Sequence, residues 1–468
     1  MRRFIEMFRT PDGKLRLNTF VLVCSLFLLW GAFSGMIDVL NKHFQDSLHL
    51  SKAMSGFVQG AWYGAYFLIA LPAGWIARKL GYRGGILTGL ALAILGCLMF
   101  VPAVQIKASQ SIVFAAFLTA LFVVGAGMTC LETVANPYTT LLGTLDGAVA
   151  RINLAQTCNA VGWMVGPMII GAFVMSKTKI ANTSNHSLYL PYLALGGVVA
   201  VLLVAFLIWP APDIQAPDEA RPASGHGEAA RPLHHEWHFI FAVVAQFFYV
   251  AGQTGVFSFF INYVKDKGYS PAIPNWLAVH LPRAVEYSSH HAFYITQYGA
   301  TTLLSIAFGC FAIGRLSGSM VLRFAKPHLI LALYGLINTV LMVVVVLNGL
   351  KVGSMTINLG WIGVIALVLS YFFMSIMYPT IFALGIKGLG RHTKLASGFI
   401  VMSIVGGALA PFFMGWIADR SSMRIGFIVP LICFAVIMLY GFTWKSFFRR
   451  DMLPESDHGV LIEPIPAH

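Results

Sequence analysis

Twelve apolar stretches, each close to the roughly 20 residues a helix needs to cross a bilayer, constrain this chain more than any motif. They run over residues 17–40, 53–77, 84–105, 111–140, 151–176 and 187–209, then over 238–264, 291–320, 328–350, 356–386, 395–418 and 424–447. Each is about twice the length of the alternating strands of an outer-membrane barrel. Charge is too sparse to clothe a water-facing surface: 10% of the residues are charged, against about 25% in soluble domains. A soluble enzyme and a disordered chain are excluded. The expected class is an all-α membrane protein with twelve transmembrane helices in two six-helix bundles.

The expected organisation is an N-terminal bundle over 1–209, a linker over 210–237, a C-terminal bundle over 238–447 and a tail over 448–468. The linker is rich in Pro, Ala and acidic residues, as a solvated connection should be. No small-residue cleavage site follows the first apolar stretch, which reads as the first helix and not as a signal peptide. Of the 31 lysines and arginines, 19 fall on the side of the N-terminus, 11 on the other, and Arg315 lies within a span. That bias predicts that both termini and the linker are cytoplasmic. The net charge of +13 is dispersed at helix ends. It reads as a topology signal, or as contact with anionic lipid, and not as a nucleic-acid footprint. The six cysteines lie within apolar stretches without a Cys-x-x-Cys pair, and the histidines lack metal-ligand spacing, so neither metal nor cofactor is expected. No Gly-Lys-Ser/Thr loop is present to bind a nucleotide.

An ionisable residue inside a span is costly and faces a cavity or a partner. Three stand out. Asp38 lies late in the first span, about 30 Å along its helix, so the interior and the outer interface beside Lys42 and His43 are both open to it. Glu132 shares a helix face with Asn136, and Pro137 frees a backbone carbonyl that needs a lined cavity; a structural acid between helices is the other reading. Arg315, in Gly309-Cys-Phe-Ala-Ile-Gly-Arg-Leu-Ser-Gly318, reads as a gating or helix-packing cation near a cytoplasmic mouth. Uncharged polar residues form stripes: Gln59, Tyr63 and Tyr66; Gln156 and Asn159; Gln246, Tyr249 and Gln253. Amides and phenols suit sugar hydroxyls and the faces of a pyranose ring, although interhelical hydrogen bonds use the same groups. Three stripes and two carboxylates together predict a hydrated central cavity.

The segment Gly74-Trp-Ile-Ala-Arg78-Lys79-Leu-Gly81-Tyr82-Arg83 resembles the Gly-x-x-x-Asp-Arg-x-Gly-Arg-Arg loop of the major facilitator superfamily. Arg78 stands where Asp is usual, as in the superfamily's fucose–galactose–glucose:proton symporter branch. Further runs fit that branch: Phe27-Leu-Leu-Trp-Gly31, Leu131-Glu-Thr-Val-Ala-Asn-Pro137, Arg151-Ile-Asn-Leu-Ala-Gln-Thr157, Gly314-Arg315, Met374-Ser-Ile-Met-Tyr-Pro-Thr-Ile-Phe382 and Gly385-Ile-Lys-Gly-Leu-Gly390. Leu131-Glu132-Thr133 is similar to the bacterial L-fucose:proton symporters within it. The resemblance implies proton coupling for Asp38, sugar recognition and protonation for Glu132, and cavity positions for Gln156, Asn159 and Tyr378. It implies gating or structural roles for Gly74, Arg78, Lys79, Arg83 and Arg315. Two departures change the shell around the sugar. Ser34-Gly35-Met36-Ile37 precede Asp38 where the branch has Asn-Asn-x-Asn, and Met377 replaces a Gln before Tyr-Pro.

The expected function is secondary active import of a neutral monosaccharide, L-fucose or a related hexose, with protons. Alternating access would be a rocking of the two halves about a midplane site. Expected sugar contacts are Glu132, Asn136, Gln156, Asn159, Gln59, Tyr63, Gln246, Gln253 and Tyr378; the proton carriers are Asp38 and Glu132. No covalent chemistry is signalled, so an enzyme is not expected. A glucose, galactose or amino-sugar carrier and a uniporter are rivals of the same fold, and a membrane sugar sensor is a rival of another class. The expected partners are sugar, proton and the bilayer, for a monomer in a bacterial inner membrane.

Overall fold

The computed structural model describes residues 6–10, 13–47, 52–106, 108–144, 146–175, 189–209, 232–266, 285–287, 293–352, 355–357 and 359–452. Nearly all of them are helical. The first helix, α1, is Leu17–Ser47. One continuous element, Lys52–Gln105, supplies two spans, α2 over 52–80 and α3 over 82–105, which meet at Gly81 with φ 74. A left-handed backbone costs glycine nothing, so the chain reverses at one residue where a longer loop was expected. Then follow α4 (Gln110–Leu141), α5 (Ala148–Met175), α6 (Tyr189–Ile208), α7 (Trp237–Lys265), α8 (Gln297–Val321) and α9 (Pro327–Leu347).

The last three spans are interrupted. The tenth, α10, comprises Trp361–Met374 and Met377–Gly385. Its break at Ser375 and Ile376 has a covalent cause: Pro379 has no N–H to give to the carbonyl of Ser375. The eleventh, α11, runs as Thr393–Met402, a 3-10 turn at Ser403–Val405, and Gly406–Arg420. The twelfth, α12, comprises Met423–Gly426 and Ile428–Met452.

Four expected boundaries move. The stretch 291–320 becomes helical only at Gln297, because Phe293–Ile295 (β2) pairs with Val285–Tyr287 (β1), Val285 opposite Ile295. The stretches 328–350 and 356–386 are trimmed to Leu347 and from Trp361, because Leu350–Val352 (β3) and Met355–Ile357 (β4) form a second antiparallel hairpin. The last helix continues past 447 to Met452. Of the linker, residues 210–231 lie outside the described residues, and Leu233–His235 is a single 3-10 turn leading into α7.

Among the described residues nine stretches are long and apolar enough to cross a membrane, and one of these, Phe57–Gln105, has 49 residues, enough for two crossings. Their outer faces carry exposed apolar side chains such as Phe67, Ile313, Phe412 and Leu439, which lipid accepts. Between helices the packing depends on small residues, which let backbones approach closely in a medium without a hydrophobic drive. The α2–α11 crossing near the Gly81 turn is the clearest case. A Cβ on Gly74 would lie 2.8 Å from the carbonyl oxygen of Lys394, and one on Gly398 would lie 2.7 Å from that of Ala70. This end of the molecule is closed by bare backbone. Beside the seam, Lys394 Nζ sits 4.7 Å over the ring of Tyr82, which stacks on Tyr138.

Candidate functional site

A cavity of about 550 Å³ lies between the two halves, within the roughly 300–1,000 Å³ typical of small-molecule sites. Its walls come from α1, α2, α5, α7, α8, α10 and α11, mostly from the parts of those helices remote from the Gly81 turn. Six of the expected site residues line it together: Gln59 and Tyr63 from α2, Asn159 from α5, Gln253 from α7, Arg315 from α8 and Tyr378 from α10. The stripe on α2 thus points inward along its whole length, since Tyr66 lines the cavity too.

Beneath the cavity lies Glu132, 2% exposed. Its Oε1 accepts a hydrogen bond from the Tyr378 hydroxyl, which reaches it from the other half. Tyr66 also interacts with the carboxyl group, and its hydroxyl accepts a 2.6 Å bond from Trp30 Nε1. The second carboxyl oxygen, Oε2, has no protein partner. One buried acid is therefore held by two phenols, one from each half.

Arg315 departs from its expected place near a cytoplasmic mouth. It is 4% exposed at the cavity wall, and its guanidinium stacks 4.6 Å from the ring centroid of Phe311. Nη1 donates to the backbone oxygen of Gln156 at 2.6 Å, to Gln156 Oε1 at 3.1 Å and to Asn159 Oδ1 at 3.3 Å. Nε donates at 2.9 Å to the carbonyl of Ser375, the one that Pro379 leaves without its helical donor. One cation thus ties α8 and α10 to α5 across the halves and interacts electrostatically with Glu132.

Three expected contacts lie off this cavity. Asn136 and Gln156 are fully buried and do not line the cavity; Gln156 Nε2 donates to Asn136 Oδ1 at 3.2 Å below it. Gln246 is buried two turns from Gln253 and off the cavity, with neither amide atom hydrogen-bonded within the protein. A helical stripe gives direction about the axis but not depth along it, and α7 passes from cavity to packed interior between these residues. Tyr249, in the same stripe, donates to the Met374 carbonyl at 3.1 Å. Asp38 falls within α1, but its side chain lies outside the described residues.

The remaining positions lie at the closed end. Gly74 forms the seam with α11. Arg78 and Lys79 are exposed, with Lys79 Nζ 4.0 Å over the Trp75 ring. Arg83 donates to the carbonyls of Phe206 at 3.3 Å and Leu207 at 2.8 Å, capping the last turn of α6 with a cation where the helix dipole favours one.

Sequence reasoning missed the aromatic lining. Trp30, Trp62, Trp163, Phe257, Phe308 and Phe311 all face the cavity. Trp163 follows Asn159 by one turn and Trp62 adjoins Tyr63, so extending each polar stripe to its aromatic neighbours would have found two of them. The resulting surface is flat rings edged by amides and hydroxyls, fitted to a neutral polyhydroxylated molecule. Among the described residues no group of His, Cys, Asp and Glu is placed to hold a metal ion.

Comparison with known proteins agrees with this architecture. The model of the Major Facilitator Superfamily matches residues 17–404. The L-fucose-proton symporter of Escherichia coli (strain K12) is 34% identical over 444 residues, covering 90% of this chain and 92% of the relative. The glucose/galactose transporter of Brucella abortus biovar 1 (strain 9-941) is 32% identical over 418 residues, covering 89% and 91%. The crystal structure of the transporter FucP in its outward conformation superposes with a TM-score of 0.72 at 33% identity, over 92% of this chain and 99% of that one. Twelve helices in two bundles, a cavity between them and similarity to these transporters over about 90% of the chain make it a member of the Major Facilitator Superfamily.

Proposed function

We propose that the chain is a proton-coupled importer of a neutral hexose, L-fucose or a close relative. The observation that carries this reading is Glu132: a buried carboxyl beneath an amide- and aromatic-lined cavity, bonded by Tyr378 from the opposite half. A group so placed feels both the sugar's presence and the arrangement of the halves. Buried intramembrane acids of this kind serve as proton carriers. The two relatives named above carry fucose in one case and glucose or galactose in the other; a neutral hexose is what these cargoes share.

In this reading Gln59, Tyr63, Asn159, Gln253 and Tyr378 meet the sugar hydroxyls, while Trp30 and its aromatic neighbours meet the ring faces. Asn136 and Gln156 support the floor from below, and Asp38 and Glu132 exchange the proton. The bundles 1–209 and 238–447 rock about the cavity, joined by the linker 210–237. The bias of the cations puts both termini and the Gly81 turn in the cytoplasm, so the seam of Gly74 and Gly398 is the inner gate and the structure faces outward. The setting is a bacterial inner membrane.

Uptake of radiolabelled L-fucose, D-galactose and D-glucose by the purified protein in proteoliposomes tests the proposal. Accumulation of at least one above its external concentration, dependent on an imposed proton gradient, is the expected result. Equilibration unaffected by the gradient would make the protein a uniporter.

A further inference from the structure

Below the cavity floor, six buried side chains close a ring through three helices. Tyr378 of α10 bonds Glu132 of α4. Two residues along α10, Thr380 Oγ1 accepts from Asn153 Nδ2 of α5 at 3.4 Å. Three residues along α5 from Asn153, Gln156 donates to Asn136 at 3.2 Å, and Asn136 stands one turn from Glu132 on α4. Of the side chains that link the helices here, Asn136, Asn153, Gln156 and Thr380 are 0% exposed.

The ring is rich in groups that the protein leaves unmet. Glu132 Oε2, Thr133 Oγ1, Asn136 Nδ2 and Asn153 Oδ1 are all buried without a hydrogen-bond partner. Pro137 has no N–H for the carbonyl of Thr133, which adds an acceptor at the same level. Natural interiors leave few polar atoms unsatisfied, and several on neighbouring turns of packed helices are surroundings that hold buried water, which takes about three hydrogen bonds. Acceptors (Oε2, Oδ1, the Thr133 carbonyl), a donor (Nδ2) and hydroxyls of both kinds make a complete set for such water.

The ring also leads somewhere. Asn153 is five residues from the start of α5 and Thr380 five from the end of α10, about 8 Å along each helix. Glu132 is nine residues from the end of α4, about 14 Å. These helix ends all lie toward the closed seam, so the polar ring extends from the carboxyl group in the direction away from the cavity.

We propose that Asn136, Asn153 and Thr380 hold a chain of internal water against Glu132, and that this water carries the proton of Glu132 toward the closed end of the molecule. The step is a plain proton transfer: the O–H bond of the carboxyl group breaks, the neighbouring water takes the proton, and the excess proton passes along the water chain. The amides position the water and do not themselves titrate. The proposal rests on the reading of the chain as a proton-coupled carrier, but the presence of the water does not.

Two measurements on the full-length protein separate these layers. The first needs no sugar. Pulsed radiolysis generates hydroxyl radicals from bound water, and mass spectrometry then reads oxidation of Pro137 and Tyr138, which follow Asn136 on α4, are buried and lie off the cavity. In proteoliposomes with an internal pH dye, the second compares sugar-driven proton entry with sugar exchange at equal sugar on both sides, which requires no proton release. The sugar is whichever of L-fucose, D-galactose and D-glucose the parent protein takes up. Asn153→Leu fills the water's place with an apolar group, and Thr380→Val does so at the opposite wall with little change of shape. Both variants are expected to reduce Pro137 and Tyr138 oxidation severalfold and proton entry about tenfold while exchange stays within about twofold, and Thr380→Ser is expected to restore proton entry. Undiminished Pro137 and Tyr138 oxidation in both variants would remove the water. A parallel fall in proton entry and exchange would make the ring merely structural. A parent protein that moves no sugar with protons would instead refute the carrier reading, and the radiolysis result would stand by itself.

Discussion

The bond between Arg315 and the Ser375 carbonyl gives a sharp test of how this membrane interior is held together. Pro379 denies that carbonyl its helical N–H, and Arg315 Nε supplies the missing donor from α8 at 2.9 Å. Replacing Arg315 with Met keeps most of the side-chain volume but strands the carbonyl. It also removes the bonds to the Gln156 backbone and to the amides of Gln156 and Asn159. A stranded buried acceptor costs about 1–3 kcal/mol. The amide of Asn159 faces the cavity, where water can replace the lost donor, so its share is small. The backbone bond lost at Gln156 is to a charged donor and worth about 1.5–3 kcal/mol. The whole substitution should therefore cost about 3–5 kcal/mol.

Pro379→Ala provides the control, because it restores an N–H four residues after Ser375. In the parent protein that carbonyl is already satisfied, so the new donor adds little beyond helix propensity. In the Arg315→Met background it rescues a stranded group and should return about 1–3 kcal/mol more. Thermal unfolding followed with a thiol-reactive fluorophore suits the measurement, because Cys97, Cys130 and Cys433 are buried until the helices separate. Propensity effects cancel in the double-mutant cycle. If Pro379→Ala changes stability equally in both backgrounds, within about 0.5 kcal/mol, the two residues are uncoupled and the reasoning fails.

Three further outcomes are expected. Glu132→Gln should retain sugar binding with a flattened pH dependence, because an amide still accepts from Tyr378 but does not titrate, whereas Glu132→Ala should lose about 5- to 150-fold in affinity; calorimetry between about pH 5.5 and 8.5 checks this, since carboxyl titration is the difference between the variants. Asp38→Asn should abolish uphill uptake and leave sugar counterflow intact, and retained accumulation in vesicles would place coupling elsewhere. Cysteines introduced at Asn159 and Gln253, in a background without the six native cysteines, should react with a small aqueous thiol reagent and be shielded by sugar, while one at Gln246 should be inert to both; a reactive Gln246 position would put that residue back in the cavity.

The spans were legible because lipid leaves little choice: a segment that crosses must be apolar for about 20 residues and must satisfy its own backbone. Polar stripes were legible for the same reason, and those on α2 and part of α5 and α7 line the cavity. Depth was not legible. Gln246 and Gln253 share a face, yet only Gln253 reaches the cavity, because the neighbours that bury Gln246 come from helices far away in sequence. The setting of Arg315 was hidden by its partners, Gln156 at 159 residues' separation and Ser375 at 60. Only the link from Pro379 to the Ser375 carbonyl could have been written down in advance, and it names an acceptor without naming its donor. The aromatic lining was lost against a background in which 13% of all residues are Phe, Trp or Tyr.

The α2–α11 seam has a consequence for how such a molecule can be tuned. At Gly74 and Gly398 the two helices meet as backbone against backbone, with no room for a methyl group on either. A closure made in this way has no bolt to draw: parting the helices there strips no ion pair and breaks no side-chain hydrogen bond at those two residues. What it has is a fit, and a fit can be spoiled in steps. Alanine, then valine, at either position would wedge the helices apart by successive amounts, moving the balance between closed and open without touching the sugar site or the acid beneath it. Evolution, or an experimenter, thus has a throttle on the resting conformation whose finest setting is a single carbon atom.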